Sequence, residues 1–295
     1  MQFDLSALKT SEVQYYLQHV IAPRPICFAS TINKQGVVNL SPFSFFNLFS
    51  SRPPVVVFSP SRRVRDNTTK HTLQNLMEVP EVVINIVTID MVQQVSLASC
   101  EYPEGTNEFI KAGFTPVPAT IVKPPMVKES KAKLECRVLE IKPLGNEGGA
   151  GNLVICEVMR LHISDEWLDE NKKLDQRRIH HVARLGGDWY CVVNEQNLFQ
   201  VAKPNTELGI GVDALPAAIK KSPILTGNHL GQLANVQSIP PVDASFDDSY
   251  LKQIIQYYSI NPDEMEKELH LYAQKLLDAG KVREAWQVLL SGTVG

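Results

Sequence analysis

Residues 54–77 read PVVVFSPSRRVRDNTTKHTLQNLM. The apolar, β-branched run Pro54–Phe58 predicts a short strand. Leu73, Leu76 and Met77 fall at i, i+3 and i+4, the spacing of one apolar helix face. Between strand and helix lie Arg62, Arg63, Arg65 and Lys70 around a polar knot, Asp66-Asn67-Thr68-Thr69. Asn67, Thr68 or Thr69 can each serve as N-cap, which starts the helix near Thr69. A helix N-terminus presents unpaired N–H groups and partial positive charge. With hydroxyls and cations beside it, the segment suits an anion, and a phosphate best of all. A surface loop of solvated arginines is the alternative reading.

Upstream, Ser11–Gln14 reads as a capping box opening a helix towards His19, which Pro23 and Pro25 stop. Ile26–Ile32 predicts a strand, Asn33–Gly36 a hairpin turn, and Val37–Leu40 a return strand that Pro42 breaks. The phenylalanine-rich run Phe43–Phe49 has two readings. One is core packing; the other is a wall for a flat ring, with the Ser41 and Ser44 hydroxyls at the ring's edge.

Downstream, Val82–Val87 reads as a strand, Met91–Ala98 as a helix, and Glu101–Phe109 as a polar loop leading to Gly113. Lys133–Ile141 and Leu153–Ile163 are two long β-type runs. The glycines of Gly145–Gly151 lack the spacing and the strand–helix context of a dinucleotide fingerprint, so this segment is a hairpin loop. Gly186-Gly187 predicts a tight turn delivering Trp189 and Tyr190 to a strand. The adjacent His180 and His181 would face opposite sides of a strand and not share a metal unaided. From Ile26 to Val193 β-type segments dominate with only short helices between them. That pattern predicts a mainly β fold, a closed or partly open barrel rather than a doubly wound sheet.

Beyond Phe199, Pro204–Pro241 is rich in Gly and Pro and predicts loop. From Phe246 the spacing turns helical: Leu251, Ile254, Ile255 and Tyr258 share one face, and Leu269, Tyr272, Leu276 and Leu277 another. Asn261-Pro262 starts the second of these helices, Gly280 ends it, and a last helix carries Val282, Trp286, Val288 and Leu289. The expected organisation is a barrel domain over 1–204 and a loop-rich, then helical, extension over 205–295.

A net charge of −3 argues against a general nucleic-acid binder. The five cysteines show no CxxC or Cys/His ligand spacing, so neither a disulfide framework nor a structural zinc is expected. Cysteines on apolar strands read as packing; Cys100, at the start of a polar loop, is the exception. The N-terminal stretch lacks a signal-peptide pattern and no apolar run is long enough to span a bilayer, so no membrane association and a cytoplasmic location are expected.

Five motifs then occur in order. They are Arg24-Pro25; Asn39-x-Ser41-Pro42-x-Ser44-x-Phe46; Arg65-Asp66-Asn67-Thr68-Thr69-Lys70-x-Thr72-Leu73; Glu108-Phe109-x-x-Ala112-Gly113; and Arg184-Leu185-Gly186-Gly187. Over roughly residues 14–204 the chain resembles the flavin reductase-like family with the FMN-binding split barrel. The resemblance implies a six-stranded Greek-key barrel that binds FMN, usually at the interface of a homodimer. It implies an oxidoreductase in which NADH or NADPH reduces FMN, with electrons passing on to free flavin, a small acceptor or a partner such as a monooxygenase. The flavin would carry the chemistry, so no catalytic side chain is expected.

By the same resemblance, Arg62, Arg63, Asn67 and Thr69 belong to the FMN-phosphate segment, with Lys70 and Thr72 as the closest carry-overs. Ser41, Pro42, Phe43 and Ser44 would line the isoalloxazine ring, with Ser30 and Thr31 nearby. Ser59 would reach the ribityl chain or the phosphate. His71 stands where relatives commonly have Asp. The Glu101–Phe109 loop would cover the site or the dimer seam. Three other readings stay open: a non-enzymatic FMN carrier, a split-barrel oxidase of the pyridoxamine-phosphate type, which the motifs fit less well, and an interaction module formed by the C-terminal helices.

Overall fold

The computed structural model describes residues 1–201 and 207–292. The chain divides into two compact units, Met1–Phe199 and Gln200–Gly295. The expected boundary at residues 204 and 205 lies outside the described residues.

In chain order the strands of the first unit are β1 (Arg24–Pro25), β2 (Cys27–Ile32), β3 (Val38–Phe43), β4 (Phe46–Ser51), β5 (Pro54–Phe58), β6 (Glu81–Ile86), β7 (Pro116–Val117), β8 (Met126–Val127), β9 (Ala132–Pro143), β10 (Asn152–Ile163), β11 (Val182–Arg184) and β12 (Tyr190–Val192). Its helices are α1 (Thr10–Val20), α2 (His71–Glu78), α3 (Val92–Leu97) and α4 (Glu108–Ala112). Seven strands form one antiparallel sheet in the order β3-β2-β6-β9-β10-β5-β4.

The order of this sheet makes it a barrel. β3 and β4 are its two opposite edges, yet only Ser44 and Phe45 separate them in the chain. Three peptide steps reach at most about 11 Å, so the edges must curl round and meet. The Ser59 N–H donates to the Phe45 carbonyl at this corner, at 2.9 Å. No ladder joins β3 to β4 among the described residues, so the barrel is split there. Where six strands were expected there are seven, because the Ser44-Phe45 corner divides the run Val38–Ser51 in two.

Three local expectations need correction. Pro42 does not break its strand: it pairs with Phe28 inside β3, because an edge strand leaves one side free of ladder bonds and tolerates the missing N–H. The helix after the cationic segment begins at His71 and not near Thr69, with Lys70 in the N-cap position and no side-chain cap. Asn67 is instead in the left-handed region, at φ 56°. Met77 is exposed, and Thr72 and Asn75 complete the buried face with Leu73 and Leu76.

β2 shows how the barrel is filled. Cys27 and Ala29 join Phe43, Phe58, Leu73, Leu76, Val82, Ile84, Cys136 and Cys156 in one core. Ile26 and Phe28 point the other way, to Leu40, Met91, Val95, Phe109 and Phe114 under α3 and α4. The two-residue alternation of a strand buried on both faces produces this division. Burying Leu73 and Leu76, each 1% exposed, anchors α2 by roughly 3–6 kcal/mol. Cys27, Cys136 and Cys156 are packing groups: burial raises all three thiols, Cys156 to about 12.

The second unit has its own core. The stretch expected to be loop holds α5 (Ala217–Lys220) and α6 (Gly227–Ala234), followed by α7 (Ser249–Tyr257), α8 (Pro262–Asp278) and α9 (Val282–Ser291). Leu215, Ile219, Leu233, Leu251, Ile254, Leu269, Leu277, Trp286 and Leu289 pack together. The Trp286 indole N–H donates to the Leu233 carbonyl at 3.2 Å. These helices therefore bury their apolar faces on one another. No described helix is long and apolar enough to cross a membrane.

Candidate functional site

The cationic segment 59–70 is held by both side-chain and backbone hydrogen bonds, with Arg65 the exposed cation in it. Asn67 takes its left-handed turn and accepts from Arg62 twice: Nε to Oδ1 at 2.5 Å and a terminal nitrogen to its carbonyl at 2.6 Å. The hairpin loop between β9 and β10 lies directly against this segment. Arg62 N–H donates to the Ala150 carbonyl (2.8 Å), and Gly149 N–H donates back to the Arg62 carbonyl (3.0 Å). A methyl group on Gly148 would sit 3.0 Å from the Val64 carbonyl and 3.1 Å from the Arg63 carbonyl. The glycines that failed as a dinucleotide fingerprint therefore permit close approach to the cationic backbone.

Beyond this buttress, three cations converge on one point. Arg63 Nε donates to Glu101 Oε1 at 3.0 Å, a terminal nitrogen of Arg65 donates to Oε2 at 2.9 Å, and Lys70 Nζ stands 3.7 Å from Oε1. Arg63 is itself fixed, donating to Thr68 Oγ1 (2.9 Å) and the Thr69 carbonyl (2.7 Å). Burial and the neighbouring Arg63 guanidinium lower the Lys70 ammonium pKa. The Arg63 hydrogen bond, with Arg65 and Lys70 beside it, lowers the Glu101 carboxyl. The position where these three side chains meet therefore stabilises a negative charge, and an acidic side chain already stands there as the anion.

A buried polar chain supports the neighbouring wall. Thr72 Oγ1 donates to Asn39 Oδ1 (2.7 Å), Asn39 Nδ2 donates to Glu108 Oε1 (3.0 Å), and Leu40 N–H donates to Glu108 Oε2 (3.0 Å). Burial raises the Glu108 carboxyl, against the hydrogen bonds that favour its ionised form. This chain ties the first turn of α2 to β3 and α4. Asn39 and Glu108 stood in the quoted motifs but not among the expected site residues, and Glu101 was expected only as part of a covering loop. The contacts that give them roles span 33 to 69 residues of sequence.

The expected residues do not share one cavity. Ser41, Arg63, Lys70 and Thr72 line one small polar cavity with Glu101, Tyr102 and Glu108. Arg62 lines a second, mostly apolar cavity of about 350 Å³ with Phe45, Val64, Arg24, the α1 residues Val13 and Leu17, and Ile21 just after the helix. Asn67 and Thr69 shape the cationic segment from within, Thr69 through its carbonyl.

Ser30 and Thr31 are wholly buried in the barrel, and the Thr31 hydroxyl accepts from Asn75. Phe43 is 8% exposed and packs against Phe58 with ring centroids 5.5 Å apart. Phe45, 42% exposed, is the ring on the open side of the corner. Pro42 and Ser44 are half-buried beside it. Ser59 is buried at 9% under Gly151, at the foot of the cationic segment.

Two further motifs prove architectural. Arg24, 8% exposed, donates to the Gln18 and Ile21 carbonyls at the end of α1 (2.6 Å each) and to the Leu185 carbonyl (2.8 Å). Gly186 lies against the His19 ring so closely that any side chain would overlap it. Among the described residues, no group of three or more His, Cys, Asp or Glu side chains is arranged to hold a metal ion.

Residues 20–182, more than half of the chain, match the model of the flavin reductase like domain. The chain belongs to this family. An uncharacterised protein of Aquifex aeolicus is 36% identical over 171 residues, covering 58% of this chain and 85% of its own. Among solved structures, nitrilotriacetate monooxygenase component B from Bacillus cereus superposes with a TM-score of 0.63 at 26% identity, over 68% of this chain and 98% of that one. A split-barrel-domain protein from Shewanella frigidimarina, assigned as a flavin reductase, superposes with a TM-score of 0.58 at 25% identity, over 68% and 100%. The flavin reductase-like domain thus accounts for the split barrel and its cationic segment, and the matched residues stop short of the second unit.

Proposed function

We propose that the chain is an FMN-dependent oxidoreductase of the flavin reductase type. The observation that carries this reading is the convergence of Arg63, Arg65 and Lys70 on one anion position at the start of α2. A phosphomonoester carries close to two charges and several acceptor oxygens. Guanidinium and ammonium donors beside Thr68, Thr69 and Thr72 match it in charge and in hydrogen bonding. That a carboxylate already sits among these donors supports the fit of an anionic group.

When bound, FMN would supply the two-electron chemistry, taking reducing equivalents from NADH or NADPH and passing them to free flavin, a small acceptor or a partner protein. The side chains do the holding. Lys70 and Arg63 fix the phosphate end, and the Thr72–Asn39–Glu108 chain keeps the start of α2 from shifting. The cavity walled by Phe45, Leu17, Ile21 and Val64 falls within the size range of small-molecule sites and offers a mostly apolar lining for a flat ring. Arg24 and Arg62, which also line it, would add positive charge beside a reduced, anionic ring.

We further propose a homodimer, because Tyr15 and Val20 on α1, Ile21 just after it, and Leu48 and Phe49 on the edge strand β4 are exposed. The resemblance to a monooxygenase component supports a monooxygenase as one kind of acceptor.

A visible absorption spectrum of the purified protein tests the function, taken alone, with FMN, and then with NADH or NADPH without oxygen. Bound flavin that bleaches is the expected result. Bound flavin that stays oxidised with both nucleotides would make the chain a carrier, and absence of flavin binding would refute the proposal.

A further inference from the structure

The anion position described above already holds an anion that belongs to the chain. The partners recorded for the Glu101 carboxylate, Arg63, Arg65 and Lys70, are the cations that a phosphate would need. The free volume beside them is about 20 Å³, lined by Arg63, Lys70, Thr72, Glu101 and Tyr102. By this measure a single water needs about 10–15 Å³, so the space admits about one water and not a phosphate with its four oxygens. A phosphate and the Glu101 carboxylate therefore cannot occupy the cradle together.

Glu101 is also placed to leave. It lies in the loop between α3 and α4, its side chain is 41% exposed, and its neighbours Cys100 and Glu104 are exposed as well. Rotation into solvent costs it three ion pairs of the partly screened kind and no buried contact.

We propose that Glu101 is a built-in competitor for the phosphate, and so the residue that determines how much a flavin's phosphate contributes to binding. The inference rests on the proposed FMN site. With Glu101 in place, FMN gains over riboflavin only the difference between phosphate and carboxylate in the cradle. The flavin is then exchangeable rather than permanently held. Without that charge, the same cations bind the phosphate with no competitor.

The test is a flavin-fluorescence titration of the full chain with FMN, and with riboflavin as the phosphate-free probe. It compares wild type, Glu101→Gln and Lys70→Ala. Glu101→Gln keeps size and removes charge on an exposed loop, and far-UV circular dichroism checks its fold. Three partly screened ion pairs predict FMN binding roughly tenfold tighter in Glu101→Gln, with riboflavin changed less than twofold. Unchanged or weaker FMN binding in Glu101→Gln would overturn the inference, as would equal tightening of riboflavin. Failure of the underlying site looks different: Lys70→Ala would then leave FMN affinity unaltered.

Discussion

Glu135 is the most heavily committed ionisable group in the barrel, and its replacement by Gln should be costly in a pH-dependent way. The carboxylate is fully buried on β9. It accepts from the backbone N–H groups of Thr120 (3.0 Å), Ile121 (2.6 Å) and Val122 (3.2 Å), from the Thr120 hydroxyl, and from His162 Nε2 at 2.6 Å. Burial alone would raise its pKa, but these donors outweigh it and bring the carboxyl from 4.5 down to about 2. A folded pKa below the unfolded one stabilises the protein above the unfolded value and loses that contribution as pH falls towards the folded one. The difference of roughly 2.5 units corresponds to about 3 kcal/mol at pH 7, and to little more than about 1 kcal/mol at pH 3. Glu135→Gln keeps the shape, but a neutral amide offers one acceptor oxygen and points an N–H₂ at other donors. Urea unfolding at both pH values, followed by near-UV circular dichroism, should show a deficit of about 3 kcal/mol at neutral pH that shrinks by about 2 kcal/mol in acid. A variant as stable as wild type at pH 7, or a deficit that does not shrink at pH 3, would refute the reasoning.

Three further outcomes follow from the site. Lys70→Ala should weaken FMN roughly tenfold or more, the scale of one lost charge-assisted contact, and leave riboflavin unchanged in the same titration. Gly148→Ala should force the segment carrying Arg63 and Val64 outward, because the added methyl meets backbone atoms at 3.0 to 3.1 Å. FMN affinity in the same titration should fall while thermal stability drops by only about 1 kcal/mol. Phe49→Asp, at a position 68% exposed on an edge strand, should shift sedimentation velocity from dimer to monomer without loss of folded secondary structure.

What the sequence showed of this molecule is what is local in it. The apolar runs that became β2, β6, β9 and β10, the turn at Asn33–Gly36 and the Asn261-Pro262 helix start are each specified within a few residues. Most of the failures involve a partner far along the chain; the Asn67 cap fails to a neighbour five residues away. Pro42 was expected to end a strand because nothing in its neighbourhood says that β3 lies at a sheet edge, where the missing N–H costs no ladder bond. Phe43 and Phe45 look alike in sequence. Only closure of the barrel at Ser44-Phe45 sends the first ring into the core against Phe58 and leaves the second on the open side. Asn67 was a good N-cap on composition, but its side chain is taken by Arg62 and the helix starts later. Glu101 is the sharpest case. In the string Glu101-Tyr102-Pro103-Glu104 the two acids are indistinguishable, and both read as solvated loop. Glu101 meets Arg63 and Arg65 across 38 and 36 residues, while Glu104 remains exposed. The cluster of cations was therefore legible in the sequence, whereas the carboxylate that pairs with them became visible only with the fold.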